Sequence, residues 1–316
     1  LNHYGVLIGR TVGVYTANDS AYAAAFELKR AGAEIAVIAD IRETVDPALL
    51  EQADSLGIRV LTHHAVVAAG GKLRVSSIVI RPCRGGSRQV IPVDALIMSA
   101  GWTPSVHLFS QSRGKLRFDD EKRLFLPGEH AQASASAGAC NGADSLAATV
   151  KEGLAAGEAA AKAARSGPKG KSVSIRTESG GSWAGAMLGA GLNPEAGKVV
   201  KAFVDYQNDV TEQDIRLAVR EGFHSIEHVK RFTTNGMATD QGKLSNMHGL
   251  AIAAEALGKP IPEVGLTTFR SPYTPVTFGT LVGHGRGALF DPVRRTPMHD
   301  SHAALGAVFE DVGQWK

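Results

Sequence analysis

Between residues 11 and 61 the chain alternates short apolar runs with helical patterns so closely that one fold class fits. Thr11-Val12-Gly13-Val14-Tyr15-Thr16 reads as a buried strand, and Asn18-Asp19-Ser20 then offers helix N-caps. Residues 21–31 carry Tyr22, Ala25, Phe26 and Leu28 at helical spacing, and Gly32 closes that helix. Ile35 to Ala39 is a second strand, ending at Asp40. Residues 47–56 make a second helix stopped by Gly57, and Ile58 to Leu61 a third strand. A β-α-β-α-β order with short connections predicts an α/β fold with a parallel sheet, in other words a Rossmann-like domain.

The pattern changes after residue 73. Arg74 to Arg81 alternates like an antiparallel strand, Arg84-Gly85-Gly86-Ser87 is a turn, and Gln89 to Val93 returns. Asp94 to Ser99 is a buried strand running into Ala100-Gly101. An alanine-rich helix is expected over 143–165 and a Gly/Ser/Pro-rich linker over 166–198. A short strand at 199–204 opens a small helical module. Within it, Thr211 with Asp214 forms a variant capping box for a helix to Glu221, Ser225 caps another, and 243–257 makes a third, ended by Gly258 and Pro260. Residues 265–290, rich in Thr, Pro and Gly, read as extended chain, and 299–306 begin a further element. At about 100–200 residues per domain, this length holds two or three domains.

Charge and cysteine content exclude several classes. The 34 basic and 31 acidic residues leave a net charge of +3, without the concentrated basic face that nucleic-acid binding needs. No apolar stretch reaches the roughly 18 residues of a membrane span. Cys83 and Cys140 make neither a disulfide framework nor a CxxC metal site, so a cytoplasmic location is expected. The chain starts at Leu1-Asn2-His3-Tyr4 and stops at Trp315-Lys316 in mid-pattern, so an internal fragment is expected.

Two stretches carry nucleotide signals. At Thr16-Ala17-Asn18-Asp19-Ser20 the strand-turn-helix context is right, and Asp40 stands where a ribose-binding acid belongs. The glycines that let a pyrophosphate approach are missing, so a Rossmann-like domain without nucleotide is the expectation for this half. The second signal joins two pieces. Asp94 to Pro104, through Gly101-Trp102-Thr103, resembles the strand and turn of flavoprotein disulfide-reductase folds. Ala137-Gly138-Ala139-Cys140-Asn141-Gly142, with the helix after Asp144, resembles their later nucleotide-contacting motif, though Ala139 or Cys140 stands where those proteins carry an acid. The competing reading is a glycine needed only for helix packing.

Three other runs are set aside. Gly180-Gly181-Ser182-Trp183-Ala184 lacks the last glycine of a nucleophile elbow. His63-His64 has no acidic or cysteine partner nearby in sequence. His299-Asp300-Ser301-His302 reads as a polar helix start capped by Asp300 or Ser301.

Taken in order, essentially all 316 residues resemble the middle of the alpha subunit of the bacterial heterotetrameric sarcosine oxidase family. The resemblance rests on Tyr15-Thr16-Ala17-Asn18-Asp19-Ser20-Ala21-Tyr22, the glycine turn at 137–142, the helical module, and the run from Thr267-Thr268-Phe269-Arg270-Ser271-Pro272 to Gly279. It implies a Rossmann-like domain (1–82) inserted in a glutathione-reductase-like nucleotide-binding fold (remainder 83–165), then the linker and a ferredoxin-like helical module (199–264). An extended strap at the FMN interface (265–298) and the start of a folate domain like the glycine-cleavage T-protein (299–316) would follow. It further implies an oxidoreductase acting on a CH–NH group, in which sarcosine is oxidised to glycine. Oxygen is reduced to hydrogen peroxide and the one-carbon unit passes to tetrahydrofolate. The cofactors implied are NAD in this subunit, FMN at the subunit interface and FAD in the beta subunit. The partners implied are beta, gamma and delta subunits.

By the same resemblance, Gly138, Ala139, Cys140, Leu146 and Thr149 face NAD, and Thr268, Arg270 and Thr274 approach the FMN phosphate. The second of these sets also has a plain alternative, an interdomain strap. Neither Phe203-Val204-Asp205 nor Asn235 to Asn246 contains a cysteine where the ferredoxin-like module would hold its cluster, so no iron–sulfur cluster is expected. No residue is assigned a catalytic role, and this stretch alone is expected to have no turnover. Alternatives are an opine oxidase or hydrogen cyanide synthase-like alpha subunit, and a non-catalytic scaffold with structural NAD.

Overall fold

A computed structural model describes residues 1–164, 176–177, 201–289 and 291–315. The expected linker at 166–198, apart from residues 176–177, and the run Gly180 to Ala184 lie outside the described residues. The chain divides into two compact units, Leu1–Arg270 and Ser271–Lys316.

The first unit is built on a parallel sheet. β1 (Thr11–Thr16), α1 (Ser20–Arg30), β2 (Glu34–Asp40), α2 (Pro47–Ser55) and β3 (Val60–Thr62) follow one another as the pattern requires. Three antiparallel strands come next, β4 (His64–Gly71), β5 (Val75–Pro82) and β6 (Gln89–Pro92), before β7 (Ala95–Ser99) returns to the first sheet. The strand order is β3-β2-β1-β7, all parallel, with β4-β5-β6 as a separate sheet. Both faces of the parallel sheet are covered, which is why its strands are apolar throughout. Val12, Val14 and Ile38 pack with Tyr22, Phe26 and Leu28 of α1 on one face. Val37 and Ala39 pack with Ile78 and Ile80 of β5 on the other. The second sheet comes so close that a Cβ at Gly13 would stand 2.8 Å from Ile78 Cδ1. A larger residue there would have to displace that δ-methyl.

After β7 come α3 (His107–Gln111) and the hairpin β8 (Leu116–Asp119) and β9 (Leu124–Pro127). A 3-10 turn over Gly138–Asn141 leads into α4 (Leu146–Ala163). The helical module follows: β10 (Phe203–Asp205), β11 (Val210–Thr211), α5 (Glu212–Arg220), α6 (Ile226–Thr233), α7 (Asn246–Leu257) and α8 (Ile261–Val264). Its core of Val210, Ile215, Val229, Leu250 and Ile252 takes in Phe125 of β9, so the hairpin and the module share one core.

Several sequence expectations are corrected in detail. β4 is a full strand paired along β5, although its small residues give no alternating signal. The third parallel strand starts at Val60, not Ile58, because Ile58 turns inward to close the α2 core. Ser225 precedes α6 without a side-chain cap. The capping box of Thr211 and Asp214 is present with both reciprocal bonds.

In the second unit, α9 (Phe278–Val282) interrupts the expected extended chain because Thr277 caps it by accepting from Thr280 N. α10 (His299–Ala304) has Met298 as its N-cap, so neither Asp300 nor Ser301 caps it.

Candidate functional site

In open α/β sheets ligands gather beyond the carboxyl ends of the strands, at the point where strand order reverses. Here that point lies between β1 and β7, and the residues around it satisfy one another. Asp40, wholly buried, accepts from Tyr22 Oη at 2.9 Å and from Arg42 through Nε at 3.1 Å and Nη2 at 2.7 Å. The same guanidinium reaches Asp19 at 2.6 Å. Asn18 Oδ1 accepts from Ser20 N, and Thr16 Oγ1 both donates to Asn18 O and accepts from Asn18 N. Trp102 Nε1 donates to Ser20 Oγ at 2.8 Å across the crevice mouth. Asp40 therefore stands where a ribose-binding acid belongs but is committed to Tyr22 and Arg42, and Asp19 puts a carboxylate where a pyrophosphate would lie. Burial and Asp40 push the Tyr22 hydroxyl far above its usual range, so it remains a donor at any pH of interest.

The turn before α4 is arranged differently. Gly138 has φ +75°, and a Cβ there would meet Thr149 Cγ2 at 2.9 Å, so backbone and packing both require glycine. This packs Thr149 of α4 directly against Gly138. Ala139 and Cys140 continue the turn, with the Cys140 thiol donating to Ala137 O. Leu146, the first residue of α4, is 61% exposed. Ser145 caps the helix by accepting from Ala148 N.

Sequence reasoning missed Glu152. Its Oε2 accepts from Gly138 N at 2.9 Å and Asn141 Nδ2 at 3.2 Å, holding the turn from one helical turn below Thr149. Its spacing of 14 residues from Gly138 carries no local signal.

The remaining predicted residues lie far along the chain from this turn. Thr268 is exposed and its N–H donates to Glu227 Oε1 at 2.6 Å. Arg270, also exposed, ends the first unit, and Thr274 is an exposed residue of the second. Phe269, between Thr268 and Arg270, is buried with its ring 3.9 Å from that of His107. Burial, with Lys243 nearby, pushes the His107 imidazole down to about 4, so it is neutral at pH 7. His107 and Phe269 line a small, mostly apolar cleft with Thr103, Lys243, Asn246 and Met247.

Two loops of the helical module close on Asp205, which is 3% exposed and accepts from the backbone N–H groups of Gln207, Asn208 and Gly236. Among the described residues no group of three or more His, Cys, Asp or Glu side chains is placed to hold a metal ion. Nor is any helix among them long and apolar enough to cross a membrane.

Comparison with known proteins adds to this. Residues 199–284 match the sarcosine oxidase A3 domain. Over its whole length the chain is 41% identical to sarcosine oxidase subunit alpha of Rhizobium meliloti (strain 1021), covering 31% of that protein. It is 40% identical to the subunit of the same name from Corynebacterium sp. (strain P-1), covering 33% of it. The chain thus spans about a third of the length of the curated relatives it matches. Among solved structures, L-proline dehydrogenase from P. horikoshii superposes with a TM-score of 0.58 at 19% identity, over 89% of this chain and 51% of that one. That likeness is one of fold.

Proposed function

We propose that this chain is part of a sarcosine oxidase alpha subunit, an oxidoreductase subunit built from a glutathione-reductase-like nucleotide-binding fold with the Rossmann-like region 1–82, β1 to β5, inserted in it. The observation that carries the proposal is identity near 40% to two subunits of that name along the entire chain. In the assembled enzyme the reaction is oxidative demethylation of sarcosine to glycine, with oxygen and tetrahydrofolate as co-reactants and beta, gamma and delta subunits as partners. When bound, NAD and the flavins supply the electron-accepting chemistry. This chain's residues bind and orient.

The dinucleotide site we assign is the turn before α4, with Gly138, Ala139, Cys140, Leu146 and Thr149. Its chemistry fits one part of NAD better than another. The Glu152 carboxylate already sits against Gly138 N, so a phosphate dianion there would meet like charge. A ribose, which brings hydroxyl donors, matches the Glu152 carboxylate, whose Oε2 is held by the turn and whose second oxygen is the acceptor on offer. Thr268 and Arg270, at the end of the first unit, are assigned to the FMN phosphate. Arg270 supports this as an exposed guanidinium suited to a phosphate.

The test is mass spectrometry of small molecules released from the intact protein, wild type and Glu152→Gln. Wild type should release NAD and the variant several-fold less. Absence of NAD from the wild type would remove the assignment. Equal NAD in both would keep NAD but move it away from this turn.

A further inference from the structure

Loops 203–209 and 234–246 of the helical module meet around the Asp205 carboxylate, which three backbone N–H groups hold, and two asparagine oxygens that lack a donor. Asn235 and Asn246 are 5% and 6% exposed, and the Oδ1 atom of each is shielded from solvent without a hydrogen-bond partner. Asn246 Nδ2 donates to Gln241 O at 3.4 Å, which fixes the amide with its oxygen on the opposite side. That oxygen lies over Gly236 and Gly242, both at positive φ, and a Cβ on either would overlap it. Gly236 is also the residue whose N–H donates to Asp205 Oδ2 at 2.8 Å, so the carboxylate and the Asn246 amide flank the same glycine. Asn235 is its chain neighbour, with its amide seated against Gly249 of α7.

A buried acceptor left unmet loses the hydration it had in the unfolded chain and gains nothing in return. Two such acceptors in one junction, beside a buried carboxylate, are therefore an expensive arrangement. Among the described residues no lysine or arginine pairs with Asp205. All three groups offer oxygen, one is charged and two are neutral, and none is a thiolate or imidazole. Such a set suits a hard cation of the sodium, potassium, magnesium or calcium kind over a transition metal.

We propose that this junction binds one small hard cation through the side-chain oxygens of Asp205, Asn235 and Asn246. With a single charged ligand, a divalent ion would bind at the weak end of its range. Binding would tie the β10–β11 loop to the start of α7.

Hydrogen exchange of the intact protein tests this locally. The peptides covering 203–209 and 234–246 are followed in choline chloride and in sodium, potassium, magnesium or calcium chloride at matched ionic strength, after dialysis against a chelator. At a cation concentration about ten times its Kd, opening of the junction should slow roughly tenfold. One of the four cations should do so, and the effect should vanish in Asn246→Leu or Asn235→Leu, each of which removes an oxygen while keeping the branched shape. If no cation differs from choline, water meets these acceptors and the proposal falls. Slowing that persists in both variants would place the ion elsewhere and overturns it equally. If one variant fails to fold, the wild-type series and the other variant still decide.

Discussion

The crevice beyond β1 and β7 and the turn before α4 are both strand-or-turn-to-helix junctions, yet they handle their polar groups in opposite ways. In the crevice, Asp40, Arg42, Tyr22 and Asp19 form a closed set, with Trp102 latched to Ser20 over the mouth. At the turn, Glu152 is held on one oxygen, Leu146 faces solvent, and none of α4 is buried. A nucleotide-binding topology is therefore not a nucleotide site. What decides is whether the groups that would meet the ligand already have partners.

The sharpest way to break this comparison is Asp40→Ala. It leaves the Arg42 guanidinium and the Tyr22 hydroxyl without their buried acceptor, and removing one partner of such a pair costs about 3–5 kcal/mol. Arg42 is partly exposed, which argues for the lower end. Urea denaturation should show that loss with no change in NAD content. A loss of NAD would mean the crevice holds it after all.

Gly138→Ala should come next, at about 2 kcal/mol, from a left-handed backbone combined with the approach to Thr149. Its signature is a fall in NAD content along with stability. Stability loss alone would favour the packing role of the glycine. Trp102→Phe should have the smallest effect, under about 0.5 kcal/mol, since it deletes one exposed hydrogen bond. Any gain of nucleotide binding in that variant would show the latch to be a gate.

Much of the fold was legible, because β1 to β3 and their helices obey apolar periodicity and end at Gly32 and Gly57, both at positive φ. The capping box at Thr211 was equally plain, since its signal is local. β4 was not, because His64 to Gly71 carries two adjacent valines followed by Ala68-Ala69-Gly70-Gly71, with no apolar–polar alternation, and is held as a strand by pairing with β5. The site residues followed the same rule. The positive-φ glycine at Gly138 stands out in the sequence, but its contact with Thr149 does not. The Tyr22–Asp40–Arg42 set and the Glu152 carboxylate depend on where side chains 14 or 18 residues apart come to rest, which no spacing rule encodes.

The Asp40 lock also bears on how this protein can change over time. Opening the crevice to a dinucleotide would require replacing Arg42 and Tyr22 to release the acid, removing Asp19, and introducing glycines at the Thr16–Ser20 turn. Arg42, Tyr22 and Asp19 are tied together through Asp40 and one guanidinium, so replacing any of them breaks a bond before a ligand contact is gained. The exposed start of α4 carries no such interdependence, and residues there can be exchanged one at a time.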